Sequence, residues 1–428
     1  MHEQPLTLAF MTNLYPPYVI GGNEIFTHNI VEALRARGHT VHVLTGQGPQ
    51  LPQDGYTHQV LNLELEHKNA IFLGGLPLTT QHLLQWHIFS PSAYRRVLAC
   101  LRQIQPDLIV AANLYMASAA PLVAARRLPC PLIAQPMDKW LVYLLKDLGL
   151  LVPAGTLRHK VALALIKRTM QPFLHRLGAP DYILPVSEFI RQFHVRAGFP
   201  AAQSQAIYLG IPLERFGYQP HPHPKQRPWR LLFAGQLWEG KGPQIAIEAV
   251  SRLRNQPALP PVELDIYGSG TERFVDQLRA MIDSYGLSRQ VHLRGLVPRE
   301  QLVHEFQQHD LFLFCSIWDE PFSIVLQEAM ASGIPTIATT SGGTPEGVRH
   351  EQTGLLVPPA NPQALAAAIA RYMSDATFYE AVGQAAAADV QAQWSFDGFI
   401  ERLEARYRTI IQGHHAGAPL VLEPTVPL

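Results

Sequence analysis

The sequence predicts an α/β protein built as two doubly wound halves, and three observations carry that prediction. From Leu6 to Leu44 a buried-strand pattern, a glycine-bearing loop, an amphipathic helix and a second strand follow one another. That is the order of a βαβ unit in a parallel sheet. The same strand–loop–helix succession begins again at Trp229. Between them, Gly217 to Trp229 carries four prolines and two histidines with no periodicity, which marks a linker. The expected boundaries are 1–212 for the first domain, rejoined by a terminal helix at 396–412, then 213–229 for the linker and 230–395 for the second domain. The tail, 413–428, reads as disordered. A chain of 428 residues is long enough for two separate cores.

In the first half, Leu6-Thr-Leu-Ala-Phe-Met11 is an apolar strand, followed by Tyr15-Pro-Pro17 and Gly21-Gly22. The helix from about Glu24 to Arg37 places Phe26, Ile30, Val31 and Leu34 on one face, and Gly38 ends it. Val41-His-Val-Leu44, Asp107-Leu-Ile-Val-Ala111 and Pro131-Leu-Ile-Ala134 read as further core strands. The last leads into Gln135-Pro-Met-Asp-Lys-Trp140. Ligands of open parallel sheets bind beyond the carboxyl ends of the strands, so this loop is a candidate ligand-binding wall. Asp138 there is either a base or a helix-capping or salt-bridging carboxylate.

From Leu148 to Pro180 there is no acidic residue. The basic stretch 155–177 is read in two ways: a peripheral contact with an anionic membrane, or a surface helix packed on its own domain. Tyr182 to Arg191 is a strand running into a helix. His221 and His223 form a His-x-His pair, expected to be disordered within the linker rather than to bind metal.

In the second half, Trp229 to Gln236 is a strand, Gln236-Leu-Trp-Glu-Gly-Lys-Gly242 its loop and Gln244 to Leu253 its helix. Val262 to Gly270 and Val291 to Pro298 are strand-to-turn segments. Leu311-Phe-Leu-Phe-Cys315 is an apolar strand, then a turn holds Pro321, and a helix starts near Ser323 and stops at Gly333. Such a helix start offers unpaired N–H groups and a positive dipole end, which favour phosphate. Glu320 lies just before it. Glu328 lies roughly 7–8 Å further along the axis. Two solvated acids on an amphipathic helix would give the same spacing.

Composition excludes some classes. Apolar residues make up 47% and charged ones 16%, as in a soluble globular protein. Lys plus Arg equals Asp plus Glu at 34 each, so no global charge points to nucleic acid. Cys100, Cys130 and Cys315 have no metal or redox spacing and fit a reducing compartment. The N-terminus lacks a basic region followed by an apolar core, and no apolar run reaches transmembrane length. A cytoplasmic location is the expectation, with contact at the inner face of the membrane left open.

Glu320-Pro-Phe-Ser-Ile-Val-Leu-Gln-Glu328 resembles the Glu-x7-Glu signature of retaining glycosyltransferases of family 4 (glycosyl transferases group 1), which have the GT-B fold. Pro-Pro-x3-Gly-Gly near the start, the Val-Ser-x-Phe element at 186–189, Lys241 between two glycines and Ser341-Gly-Gly-Thr-Pro-Glu346 resemble further motifs of that family, in family order. The resemblance runs from Pro16 to the last helix. It implies two Rossmann-like domains facing across a cleft, with the terminal helix crossing back. It also implies a nucleotide-sugar donor on the second domain and a glycan, lipid or small-molecule acceptor on the first. Glu320 would orient the sugar and Glu328 the ribose. Lys241 and the amides near Phe322, Ser323 and Ile324 would hold the diphosphate. Gly22 would face the donor, and backbone near Leu296 and Val297 the base. Two positions depart from the pattern: Met137 stands where many members have His, and Gln236 where most have Arg. Met cannot relay a proton and Gln supplies no charge. A weakly active sugar-nucleotide-binding module and a GT-B epimerase therefore stay open as alternatives. With no Asp-x-Asp in the chain, no metal or other cofactor is expected.

Overall fold

The computed structural model describes residues 4–65, 88–115, 117–146, 168–169, 172–225, 227–254, 256, 258–417 and 420–423. The chain divides into two compact units, Met1–Ile207 with Ile400–Val426, and Tyr208–Phe399 with Pro427–Leu428. The division thus falls four to five residues away from the positions expected at 212 and 396.

The N-terminal unit holds a six-stranded sheet of β1 (Thr7–Thr12), β2 (Thr40–Gln47), β3 (Thr57–Glu64), β4 (Leu108–Asn113), β5 (Leu132–Ala134) and β6 (Tyr182–Ile183). The spatial order is β3-β2-β1-β4-β5-β6, and every neighbouring pair is parallel. Strand β4 is buried along its whole length, as an apolar run covered on both faces should be. Between β1 and β2 runs α1 (Gly22–Ala36); α2 (Pro91–Ile104) precedes β4, α3 (Ala120–Ala125) follows it, α4 (Trp140–Leu145) follows β5 and α5 (Glu188–Arg196) follows β6.

The C-terminal unit repeats the plan with β7 (Trp229–Ala234), β8 (Val262–Tyr267), β9 (Val291–Gly295), β10 (Leu311–Phe314), β11 (Thr336–Thr339) and β12 (Leu355–Val357). Its order is β12-β11-β10-β7-β8-β9, again all parallel. Here α6 (Pro243–Arg254), α7 (Glu272–Ser284), α8 (Arg299–Gln308) and α9 (Ile324–Ser332) alternate with the strands, and α10 (Pro362–Ser374) and α11 (Ala376–Gln393) follow. In each sheet the first strand has the second on one side and the fourth on the other. The winding reverses there, and loops leaving those two strands diverge and open a crevice. The switch points are β1/β4 and β7/β10.

The terminal helix α12 (Phe396–His415) is counted with the N-terminal unit from Ile400 onward. Its Phe399, Leu403, Tyr407 and Ile410, spaced at helical intervals, are fully buried. The Tyr407 hydroxyl donates to Gln135 Oε1 at 2.8 Å, and burial lifts it far above the ordinary phenol range.

Two expectations of disorder are corrected. The linker histidines are packed: His223 Nε2 donates to the carbonyls of Tyr372 and Met373 at 3.2 and 3.1 Å, with its ring edge-on to Trp229 and Tyr379. Gln219 N–H bonds the Ser332 carbonyl, and Gly333 (φ +86°), which ends α9, leaves room for the Tyr218 ring. The described part of the tail, 420–423, is anchored as well, with Leu420 N–H on the Tyr182 hydroxyl, Leu422 N–H on the Ala202 carbonyl, and Leu422 buried. Aromatic and apolar side chains in both segments find partners that polar composition alone hides. Most of the basic stretch 155–177 lies outside the described residues. Among the described residues no helix is long and apolar enough to cross a membrane.

Candidate functional site

The β7/β10 switch point brings two loops together. Strand β7 ends at Ala234 and its loop runs to Gly242; β10 ends at Phe314 and its loop runs to Ser323. The Gly240 carbonyl locks them, accepting N–H from Ile317 (2.8 Å) and Trp318 (3.0 Å). Gly242 has φ +74°, and any Cβ there would collide with the Cys315 carbonyl, so only glycine fits. Lys241 is held between these two fixed points.

Its Nζ donates to Glu320 Oε1 at 2.7 Å, and the Ser316 hydroxyl donates to the same oxygen at 2.6 Å. Glu320 is 5% exposed, whereas the Lys241 side chain is 26% exposed. An ammonium has three N–H donors, and the carboxylate takes one. The backbone of Glu320 is clamped in turn: Gly343 N–H donates to its carbonyl at 2.7 Å, and Gly342 (φ +57°) packs directly on it. A methyl group at Gly342 would overlap the Glu320 backbone. Gly342→Ala is therefore expected to displace Glu320, lowering both the melting temperature and any activity that uses it; an unchanged melting temperature would contradict this clamp.

Beyond Glu320, Ser323 caps α9 by accepting the Leu326 N–H. Phe322 is buried against the rings of Tyr208 and Trp394. Ile324 opens the helix, so the first-turn amides of α9 stand next to Glu320 in the chain. Glu328, one turn further, is 2% exposed. It is not alone there. Arg299, first residue of α8, donates to its Oε1 through Nε (3.0 Å) and Nη2. Burial pushes the Glu328 carboxyl above the usual carboxylate range, and the Arg299 guanidinium and, secondarily, Arg215 oppose that push. Sequence reasoning missed Arg299. The available signal was a cation at the positive end of a helix dipole, where it is misplaced unless something else holds it.

The remaining positions named from the sequence in this unit are more open. Gln236 is exposed, and its carbonyl accepts the Trp238 N–H. Leu296 is 78% exposed and Val297 half-buried, just after Gly295, whose carbonyl accepts the Gly268 N–H.

The N-terminal unit carries Gly22 and Asp138. Gly22 opens α1, and a Cβ at Gly21 or Gly22 would meet only open space. The Glu24 carboxylate, buried, accepts N–H from Ile20 and Gly21 and so closes the end of α1. Asp138 Oδ1 accepts the Trp140 N–H at 2.7 Å, and its Oδ2 accepts from Asn23 Nδ2 at 3.1 Å. It thus holds the start of α4 and ties it to α1. Burial raises the Asp138 carboxyl above its ordinary value, aided by the Glu24 charge and opposed by both hydrogen bonds. Met137 is buried. Among the described residues no group of three His, Cys, Asp or Glu is placed to hold a metal ion.

Two family models match the chain one after the other: Glycosyltransferase Family 4 over residues 20–215 and Glycosyl transferases group 1 over 218–389. Among curated proteins the chain is 30% identical to the putative glycosyltransferase YtcC of Bacillus subtilis over 252 residues, 54% of this chain and 60% of that relative's length. It is 28% identical over 266 residues to a GDP-mannose-dependent phosphatidylinositol monomannoside mannosyltransferase of Mycobacterium tuberculosis, covering 59% of this chain and 68% of that one. Among solved structures, Anabaena HepE in complex with UDP superposes with a TM-score of 0.68 at 20% identity, over 94% of this chain and all of that one, a likeness of fold.

Proposed function

We propose that this chain, which belongs to the family 4, group 1 glycosyltransferases, moves a hexose from a nucleoside diphosphate to an acceptor hydroxyl with retention of anomeric configuration. The observation that carries the donor assignment is the Lys241–Glu320 pair, set at the β7/β10 switch point beside the capped start of α9. As the bond from sugar to diphosphate breaks, negative charge grows on the departing phosphate. Lys241 and the first-turn amides of α9 supply fixed positive charge for it. Glu320 accepts hydroxyls of the donor sugar, and Glu328 accepts those of the ribose through Oε2, since both Arg299 bonds fall on Oε1. Asp138, with its carboxyl raised, takes the acceptor proton in the N-terminal unit. UDP in the HepE complex and GDP-mannose in the mycobacterial relative's name support a nucleotide-sugar donor.

Two features favour a second reading, a sugar-nucleotide-binding module with slow transfer: Gln236 and Met137 bring neither charge nor proton relay. Thermal shift with UDP, GDP, ADP and their hexose conjugates, followed by transfer to mixed acceptors, separates the two. A ligand that raises the melting temperature, with an anomer-retained product by NMR, supports the transferase. Stabilisation without transfer supports the module, and no stabilisation by any nucleotide contradicts both. Lys241 and the helix amides already neutralise the diphosphate, so transfer is expected to survive EDTA; loss on chelation with recovery on adding Mg²⁺ would contradict this.

A further inference from the structure

We propose that Arg299 is a positioning residue for donor binding, fixing one oxygen of Glu328 so that the other stays available to the ribose. The inference rests on the reading of Glu328 as the ribose-binding carboxylate. Its physical basis lies in three features of the pair. Glu328 sits on an almost fully buried helix, with its side chain 3% exposed, and an ionised carboxylate there requires a compensating partner. Arg299 is the first residue of α8, where its charge opposes the helix dipole and where Pro298 provides no side-chain cap. Its placement therefore disfavours α8 and favours only the contact with Glu328. Finally, both of its donors converge on Oε1, which fixes the carboxylate's rotation and leaves Oε2 unshared.

The pair also joins two parts of the site. Arg299 follows directly on the turn at Gly295–Pro298 after β9, while Glu328 belongs to the helix after β10. The ion pair thus ties the turn proposed for the base to the helix proposed for the ribose and diphosphate.

Other charges do not replace Arg299. On α11, which also packs on α9, the Tyr379 hydroxyl bonds the Asp310 carbonyl, Asp389 pairs with Arg349, and Glu380 accepts the His223 N–H. On α8, Glu305 neighbours His309 and Tyr267. Among the described residues Arg215 is the one further cation whose charge acts on Glu328. Without Arg299 the carboxyl loses its main opposing charge, so it protonates at higher pH and stops accepting ribose hydroxyls as the pH falls.

The experiment is calorimetric titration with whichever of UDP, GDP and ADP binds, and with its 2′-deoxy and 3′-deoxy counterparts, at about pH 6 and about pH 8.5. Wild type, Arg299→Met and Arg299→Lys are compared. Wild type should prefer the ribonucleotide at both pH values. Arg299→Met should bind the ribonucleotide about tenfold more weakly at the lower pH, lose its preference over the deoxy forms there, and recover much of both at the higher pH. Arg299→Lys, which keeps the charge but not the two convergent donors, should remain nearly independent of pH. If wild type shows no ribose preference, the ribose role of Glu328 fails and this inference with it. If wild type discriminates and folded Arg299→Met keeps the same preference with no pH dependence, the inference on Arg299 alone is overturned.

Discussion

Lys241→Ala lowers turnover about a hundredfold or more while leaving donor KM within a few-fold of wild type. The scale is that of removing one preorganised charge from a developing anion. The split follows from where Lys241 acts. The diphosphate is already bound in the ground state by the α9 amides, and the lysine's share grows as the sugar departs. The Ser316 hydroxyl still holds Glu320, so the sugar-facing carboxylate keeps its position. Removing the ammonium leaves a nearly buried carboxylate with less compensation, so some loss of melting temperature accompanies the loss of turnover. Lys241→Arg retains charge with a longer planar head and should recover part of the rate. Steady-state kinetics alongside a thermal melt checks all three; a variant with wild-type turnover removes Lys241 from the chemistry.

Glu328→Ala separates binding from stability. The charge-assisted bonds to ribose contribute about 1.5–3 kcal/mol, so nucleotide affinity should drop about ten- to a hundredfold. Stability should move little, or even rise. The substitution removes a buried carboxylate that burial already disfavours, and its partner Arg299, 39% exposed, can turn toward water. Calorimetry and a melt on the same preparation decide. Weakened binding with a maintained melting temperature fits the ribose role, whereas unchanged affinity with a lower melting temperature makes Glu328 a structural anchor only.

Much of the fold was legible because periodicity and turn chemistry report local structure directly. The apolar runs at Leu6–Met11, Asp107–Ala111 and Leu311–Cys315 coincide with the central strands β1, β4 and β10, and Gly333 does end α9 in the left-handed region. The two-unit plan followed from two strand–loop–helix openings, whereas the strand order within each sheet came only with the structure. Of the candidate site, the sequence named Glu320, Glu328 and Lys241 but neither Arg299 nor which side chains pair. Glu320 and Glu328 are eight apart, one in the loop before α9 and one on it, but their cations come from elsewhere: Lys241 is 79 positions from Glu320, and Arg299 is 29 from Glu328. Such pairings depend on which loops the switch point brings together, and no local pattern encodes them. Asp138 shows the converse. The sequence left base and cap as alternatives; the geometry shows Asp138 accepting the Trp140 N–H one residue before the helix cap at Lys139, while burial raises the same carboxyl. The linker and the tail misled because proline, glycine and histidine imply mobility only when nothing packs against them. Here Trp229, Tyr372 and Tyr379 surround His223, and Tyr182 meets the tail.

The most direct measurement is a crystal structure with a nucleoside diphosphate hexose, or with the diphosphate and the free sugar. The expected result places the diphosphate within hydrogen-bond distance of Lys241 Nζ and the first-turn amides of α9, the sugar hydroxyls on Glu320, and the ribose on Glu328 Oε2. A nucleotide bound away from the loops after β7 and β10, with Lys241 and Glu320 still paired only to each other, would contradict it.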